Sequence, residues 1–229
     1  MTGELLGLLP VAILGGIVGL DVVSFPQAMI SRPIVAATLA GAFVGNASAG
    51  ALIGIVLELI ALDTLPFGAS RYPEWGSASV TGGALFAAEA GKSQGALPAA
   101  VLAALLTASV SGWSMVVHRR LIARRLARYR DGLEEGSRSA LLSLHLGGMT
   151  MDLLRGCLVT FVALLVLHPL VDAIVAIWAV DPARSRAVVV AVGAIVAAGA
   201  LWNIFHSVRH ALWLFLGGLA AGFAILAVR

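Results

Sequence analysis

The architecture of this chain is set by the run PIVAATLAGAFVGNASAGALIGIVLELIAL at residues 33–62. An α-helix of 30 residues would measure about 45 Å, whereas the hydrocarbon core of a bilayer is only about 30 Å thick. In its middle lies GNASAG (residues 45–50), where two glycines flank small polar residues of the kind that form turns. The run therefore predicts a helical hairpin that enters the membrane and returns, with arms at residues 33–44 and 51–62. The alternative is one long, tilted helix that is kinked at the glycines.

The composition around this run is that of a membrane protein. Of the 229 residues, 60% are hydrophobic and 12% are charged, against roughly 25% charged in an ordinary soluble domain. So few polar side chains cannot cover a globule in water. The fold class is therefore predicted as an all-α integral membrane protein, a polytopic helical bundle with re-entrant or broken helical hairpins. Further uncharged runs occupy residues 5–20, 93–117, 156–171, 187–208 and 211–228.

No soluble domain or low-complexity tail is evident, so residues 1–229 are predicted to form a single membrane domain. The first uncharged run is expected to be a retained span, because Glu4 precedes it and Asp21 follows it, unlike the flanks of a cleaved leader. Small residues recur at four-residue spacing, which in lipid lets helix backbones approach closely. These pairs predict dense helix packing: Gly15 and Gly19, Gly41 and Gly45, Gly50 and Gly54, and Gly218 and Gly222.

The positive charge is concentrated in residues 118–141. A basic cluster flanked by spans is expected on the cytoplasmic side of the membrane, so this interval is predicted to be a cytoplasmic basic loop. Nucleic acid is not an expected partner, because no recognition fold can be assembled around the cluster. A solvated face or a lipid-headgroup face is favoured over a contact with a partner protein. The cluster contains Arg119, Arg120, Arg124, Arg125, Arg128 and Arg130.

Two other intervals are predicted to lack long helices. Hydrophobicity falls over residues 63–94, where prolines and glycines interrupt every long pattern. Irregular backbone at membrane depth is tolerated only where protein buries it or water reaches it, so this segment is expected to line a cavity. For residues 70–76 the alternative of a plain extramembrane loop is preferred. Residues 172–186 contain Asp181-Pro182 and are predicted to be a short connection between spans.

Glu58 is the first candidate for a ligand-binding side chain. It follows 25 uncharged residues, and an ionisable group inside such a run usually faces a cavity, a partner or a substrate. A carboxylate suits a sugar because it accepts charge-assisted hydrogen bonds from neighbouring hydroxyl groups. The alternative is a structural ion pair with Arg32 or Arg155.

A second polar group lies between the first span and the predicted hairpin. Within it, Gln27 offers both donor and acceptor atoms, which matches a ligand rich in hydroxyl groups. Its closeness in sequence to the hairpin indicates a site shared with Glu58. The group comprises Asp21, Ser24, Gln27, Ser31 and Arg32.

Asp152 and Arg155 are three residues apart and therefore adjacent on one helix face. Their pairing would lower the cost of both charges in a membrane, so a structural ion pair is predicted; the alternative is a gate that opens as the site moves. His206 and His210 have the spacing of a metal pair, but no third ligand is nearby, so no metal site is predicted. No nucleotide-binding loop is present, and no catalytic residue or cofactor is expected.

Three motifs together resemble a known family. They are D-x-x-S-F-x-Q-x-M-I-S-R-P over residues 21–33, G-x-x-x-G-N-x-x-x-G-x-x-I-G-x-x-L-E-L-I over residues 41–60, and L-P-F-G-A over residues 65–69. The chain resembles the mannose, fructose and sorbose family of phosphotransferase-system IIC subunits, most strongly over residues 15–90. MDLLRG at residues 151–156 is also similar.

The resemblance implies a transport subunit rather than an enzyme, because phosphoryl chemistry in such systems lies on partner proteins. It implies a multi-pass protein of the bacterial inner (cytoplasmic) membrane that contacts lipid, pairs with a IID membrane subunit and assembles into an oligomer. A hexose would move inward by an elevator-like motion, and a cytosolic IIAB protein carrying phosphate on histidine would phosphorylate it. Glu58 and Gln27 would contact the sugar, with Arg32, Asp63 and Gly68 completing the substrate site.

Two other functions remain open from the residues. A membrane scaffold or sensor would keep the fold without sugar flux, although Glu58 and Gln27 together favour transport. An ion-coupled solute carrier acting alone is disfavoured, because 229 residues provide few helices for two moving halves.

Overall fold

The protein is described by a computed structural model that defines residues 2–22, 24–62, 72–205 and 210–227. All regular structure in these ranges is α-helical, which confirms the predicted fold class. The helices are α1 (Thr2–Asp21), α2 (Pro33–Val44), α3 (Ala47–Ala61), α4 (Trp75–Glu89), α5 (Ala96–Arg128), α6 (Arg130–Glu134), α7 (Arg138–Ile177), α8 (Pro182–Phe205) and α9 (Ala211–Ala227).

Among the described helices, α5 and α7 are long and apolar enough to cross a membrane. With 33 and 40 residues, they measure about 50 Å and 60 Å. Both exceed the hydrocarbon core of about 30 Å, so their ends extend beyond it.

The predicted hairpin is present as α2 and α3, which pack against each other. α2 ends where Gly45 adopts a left-handed conformation with φ of 90°, a backbone geometry that glycine reaches without steric cost. Asn46 then caps α3, because its side-chain oxygen accepts a hydrogen bond from the Ala49 N–H at 3.1 Å. The first arm has the predicted bounds, and the second begins at Ala47, four residues before the predicted start. The run is therefore broken rather than one kinked helix.

Glycines allow two pairs of helices to approach closely. A Cβ added to Gly50 would overlap the Ala37 carbonyl oxygen and lie 2.9 Å from Gly41 Cα, and one added to Gly156 on α7 would lie 2.9 Å from Gly16 Cα on α1. Backbone therefore meets backbone between α2 and α3 and between α1 and α7.

The glycines of α9 behave differently. A Cβ on Gly218 or Gly222 would meet no heavy atom of the described chain within 4 Å. The prediction of dense packing is therefore wrong for this pair within the part of the chain that the structure describes.

Helix α4 corrects the prediction of irregular backbone over residues 63–94. Residues 75–89 form a 15-residue helix that packs against α1, α2, α3, α5 and α7. Its sequence, WGSASVTGGALFAAE, is mostly glycine, alanine and serine, and nearly every side chain is buried. A helix that is surrounded on all sides shows no apolar stripe, so periodicity could not reveal it.

The basic interval also differs from its prediction, because most of it is helical. α5 continues to Arg128, α6 covers Arg130–Glu134, and α7 begins at Arg138. Arginine is a good helix former, so the cluster extends α5 instead of ending it. The connection predicted at residues 172–186 is shorter than expected, since α7 reaches Ile177 and α8 begins at Pro182.

Candidate functional site

The open end of the hairpin brings two of the predicted site residues together. Arg32 immediately precedes α2 and Glu58 lies in the last turn of α3, and Arg32 Nη2 forms an ion pair with Glu58 Oε1. The backbone N–H of Ile34 donates to Glu58 Oε2 at 3.2 Å. The first N–H groups of a helix lack partners within the helix and favour negative charge. The Glu58 carboxylate is thus held by a guanidinium and by the N-terminus of α2, and both side chains of the pair remain partly exposed.

The segment before α2 is folded around Asp21, the buried last residue of α1. Its carboxylate accepts hydrogen bonds from the Ala28 N–H at 2.6 Å, the Ser31 N–H at 2.9 Å and the Ser31 hydroxyl at 2.8 Å. Gln27 and Met29 both have left-handed backbones, with φ of 57° and 62°. Such conformations are uncommon for residues other than glycine and persist where surrounding contacts hold them. Asp21 supplies those contacts.

The structure places the predicted sugar contacts as follows. Arg32 and Glu58 touch, and Gln27 lies exposed on the same segment, five residues before Arg32. Asp63 and Gly68 lie outside the described residues. The ion pair weighed as an alternative for Glu58 is formed with Arg32, whereas Arg155 pairs elsewhere.

Arg155 and Asp152 form a second, buried ion pair. Arg155 Nε donates to Asp152 Oδ1 at 2.9 Å. The other carboxylate oxygen, Asp152 Oδ2, accepts a hydrogen bond from the Ser24 hydroxyl at 2.9 Å. Arg155 Nη1 donates to the hydroxyls of Ser111 at 3.0 Å and Ser114 at 3.1 Å. The pair therefore ties α7 to α5 and to the segment that carries Gln27.

Glu74 extends this network and was missed by the sequence analysis. Its buried carboxylate accepts hydrogen bonds from the Ser111 hydroxyl at 2.6 Å and the Gly76 N–H at 2.7 Å. It also accepts from the Ser77 N–H at 3.2 Å, so Glu74 caps α4 from its N-terminal end. The signal for the cap was local, since an acidic residue stands just before WGS. Its partner on α5 is 37 residues away in sequence.

A carboxylate also lies at the other end of α4. Glu89 is buried, and its Oε1 accepts a hydrogen bond from the exposed Lys92 ammonium at 2.7 Å. That bond raises the pKa of Lys92, because the carboxylate stabilises the charged form. α4 thus has a buried acidic side chain at each end.

The described residues contain no group of three His, Cys, Asp or Glu side chains that could hold a metal ion. His206, one half of the histidine pair considered from the sequence, lies outside them.

Comparisons with known proteins bear on both the family and the fold. The sequence matches the model of a family described as the sorbose-specific IIC component of the phosphotransferase system, over residues 5–228. No curated protein matches the sequence. A solved structure described as a membrane protein resembles this one with a TM-score of 0.71 at 20% identity, covering 100% of this chain and 92% of that chain.

A second solved structure is the mannose transporter ManYZ in complex with microcin E492, determined by cryo-EM. Its TM-score is 0.60 at 19% identity, and the match covers 97% of this chain and 87% of that chain. At such low identity the two structural likenesses show the fold, whereas the sequence match over nearly the whole chain shows the family.

Proposed function

The chain belongs to the family of sorbose-specific IIC components of the phosphotransferase system, and from this premise we propose that it binds a hexose at the open end of the α2–α3 hairpin and translocates it. The observation that carries the proposal is the Arg32–Glu58 pair, which is charged, partly exposed and attached to a broken helix. Broken helices whose termini face a polar ligand are a common arrangement in transporters.

The chemistry of the pair suits a sugar. A hydroxyl group both donates and accepts hydrogen bonds. The Glu58 carboxylate can accept from the hydroxyls of a sugar, and the Arg32 guanidinium can donate to them. Gln27 adds an amide that both donates and accepts, on a backbone held by Asp21. Asp63 and Gly68 are proposed to complete the site, as the family resemblance implies.

The partners follow from the family. We propose that the chain pairs with a IID membrane subunit in an oligomer and that a cytosolic IIAB protein phosphorylates the hexose, so that this subunit carries no phosphoryl chemistry. A hexose is proposed as the substrate because the similar solved structure is that of a mannose transporter, ManYZ, and mannose is a hexose. The proposed location is the bacterial inner membrane.

The basic end of the bundle is proposed to be cytoplasmic, and the sugar site opens near it. Ser114, which contacts Arg155, lies five residues before Arg119, or about 8 Å along α5. Ser24 connects the same network to the Gln27 segment. The site is therefore proposed to face inward in this structure, where a IIAB protein can reach the sugar.

The binding proposal is tested with Glu58→Gln in membranes that also contain the IID subunit. The amide keeps the shape and one acceptor but removes the charge, and a hydrogen bond to a charged group contributes about 1.5 to 3 kcal/mol. Hexose affinity should fall roughly 10-fold to 150-fold, while the amount of assembled complex stays near the wild-type level. The matched control is Glu134→Gln, which changes an exposed pair on α6 and should leave affinity unchanged.

Unchanged hexose binding in a normally assembled Glu58→Gln complex would exclude Glu58 from the site. Hexose binding without flux, with IID and IIAB present, would favour the scaffold or sensor function. Flux that needs neither IIAB nor phosphate transfer would favour an ion-coupled carrier.

The topology is tested by labelling. Cys157 is the only cysteine in the chain, so Arg124→Cys is introduced together with Cys157→Ala. A membrane-impermeant maleimide should not label intact cells and should label inverted vesicles. Efficient labelling of intact cells would place the basic end outside and overturn the inward-facing assignment.

A further inference from the structure

An apolar groove of about 290 Å³ lies between α5 and α7. Several of the side chains that line it are strongly exposed, including Trp113, Leu154 and Leu158, so the groove opens on the outer surface of the bundle. Its principal apolar lining is Trp113, Val117, Leu121, Met151, Leu154 and Leu158.

Arg125 lies beside one end of this groove, one helical turn beyond Leu121, and has no acidic partner among the described residues. Within those residues its guanidinium contacts only weak acceptors, Met151 Sδ at 3.7 Å and the Ser143 carbonyl at 3.5 Å. Its ring contact with Tyr129, at 5.9 Å from the ring centroid, supplies no negative charge. Arg125 is half-buried, and within the described chain it forms no ion pair.

The guanidinium lies in a space that a glycine leaves open. A Cβ on Gly147 of α7 would be only 2.7 Å from Arg125 Nη2. The cation is therefore inserted between α5 and α7, in line with the groove, because Met151 both lines the groove and contacts Arg125.

Three more arginines lie near Arg125 on α5. Arg120, Arg124 and Arg128 recur at four-residue spacing and are exposed, and their side chains have no hydrogen-bond or ion-pair partner in the described chain. The other arginines of the cluster are engaged: Arg119 donates to the Tyr72 hydroxyl at 2.6 Å, and Arg130 pairs with Glu134.

The depth of these cations is set by the apolar face of α5. Exposed apolar side chains run along this face from Leu102 to Leu121, a distance of about 28 Å along the helix. This length matches a hydrocarbon core of about 30 Å. Arg124 and Arg125 follow within one turn, which puts them at the level of lipid headgroups.

We propose that this groove binds one anionic phospholipid, with an acyl chain along Leu121 and Leu158 and its phosphate on Arg125. The groove is mainly apolar, although Ser114, His118 and the Asp152-paired Arg155 also line it. With Arg125 at one end, it matches a molecule with an apolar tail and an anionic head. A helix of a partner protein would need an acidic side chain at this level to compensate Arg125, whereas an anionic lipid supplies that charge with its head group. A zwitterionic lipid would leave the net positive charge uncompensated.

The test uses the full-length protein, purified in detergent and returned to nanodiscs of defined composition. Phosphatidylglycerol is titrated against the protein in parallel with phosphatidylcholine and with inorganic phosphate. Bound lipid is counted by native mass spectrometry, and the melting temperature of the protein is measured. Phosphatidylglycerol should be retained and should raise the melting temperature, whereas the other two probes should do neither.

Arg125→Gln should lower the affinity for phosphatidylglycerol about fivefold, as expected for one cation at a membrane surface. Arg125→Lys should keep the preference for phosphatidylglycerol over phosphatidylcholine. The matched control is Arg130→Gln, which changes an exposed arginine of the same cluster that already has an acidic partner and should have no effect. Leu158→Trp, which fills the groove from an exposed position, should reduce lipid retention without unfolding the protein.

Three results would overturn the proposal. The first is equal retention of phosphatidylglycerol and phosphatidylcholine. The second is an equal loss of phosphatidylglycerol affinity in Arg125→Gln and Arg130→Gln. The third is a rise in melting temperature with inorganic phosphate that equals the rise with phosphatidylglycerol. Lipid retention and the melting temperature are measured independently of hexose affinity. The lipid proposal can therefore fail while the sugar-site proposal stands.

Discussion

Two arginine–carboxylate pairs in this bundle have opposite surroundings. The side chains of Arg155 and Asp152 are 9% and 1% exposed, and the hydroxyls of Ser24, Ser111 and Ser114 form hydrogen bonds with them. The side chains of Arg32 and Glu58 are 38% and 19% exposed. The first pair lies where α5 and α7 meet, and the second lies at the open end of the hairpin.

The difference separates a pair that holds helices together from a pair that a ligand can reach. Removing one member of a buried pair leaves an uncompensated charge in a medium of low polarity. A partly exposed pair keeps part of its surface open, so a ligand hydroxyl can reach it without first breaking the packing of the bundle. Burial, more than the identity of the residues, distinguishes the two proposed roles.

The largest effect is expected from making the same carboxylate-to-amide change in both pairs. Asp152→Asn leaves Arg155 buried without its anion and should destabilise the protein by about 3 kcal/mol or more. Glu58→Gln should destabilise it by less than about 1 kcal/mol, as for exposed pairs. The measurements are the melting temperature and the yield of monodisperse protein in detergent.

A double change sharpens the same comparison. Replacing the buried pair with Asp152→Leu and Arg155→Met removes both charges, which is often neutral or stabilising, and should recover much of the yield. Equal losses for Asp152→Asn and Glu58→Gln would contradict the distinction drawn from burial.

A smaller effect is expected at the closed end of the hairpin. Gly50→Ala adds a Cβ that would overlap the Ala37 carbonyl oxygen, so α2 and α3 must separate, at a cost of about 1 to 3 kcal/mol. Gly218→Ala on α9 is the matched control, because its Cβ meets nothing within 4 Å among the described residues. A wild-type melting temperature for Gly50→Ala would show that α2 and α3 can separate near the turn without loss of stability.

The smallest effect is expected at the turn itself. A Cβ on Gly45 would meet no neighbour in the described chain, but the φ of 90° disfavours any other residue. Gly45→Ala should therefore cost about 1 kcal/mol, and Gly45→Asn should cost less, because asparagine tolerates the left-handed conformation. Hexose affinity should be nearly unchanged in both variants. A loss as large as that of Glu58→Gln would mean that the turn also shapes the site.

The hairpin could be predicted because its signal is local. Residues 33–62 are too long for one span, and Gly45 and Asn46 mark the break. The family, too, could be recognised from motifs, and the match over residues 5–228 confirms it. The all-helical membrane fold followed from composition.

Other features depend on distant contacts and could not be predicted. Whether Glu58 would pair with Arg32 or Arg155 was undetermined, since the answer depends on which helices meet. Ser111 joins Glu74 and Arg155 across separations of 37 and 44 residues, which no local pattern indicates. Helix α4 was missed because its small side chains are buried all round, and the arginine cluster was interpreted as a loop because charge alone does not distinguish a loop from a projecting helix.

The small, polar character of α4 has a consequence for biosynthesis. The helix has 15 residues, about 22 Å, with a buried glutamate before it and another at its end. It is too short and too polar to enter a bilayer alone. Two of its neighbours, α5 and α7, are made after it, and residues 90–177 take about 4 to 18 s to synthesise. During that interval only α1 to α3 or the insertion machinery can shelter α4, so the burial of this helix depends on synthesis continuing to the end of α7.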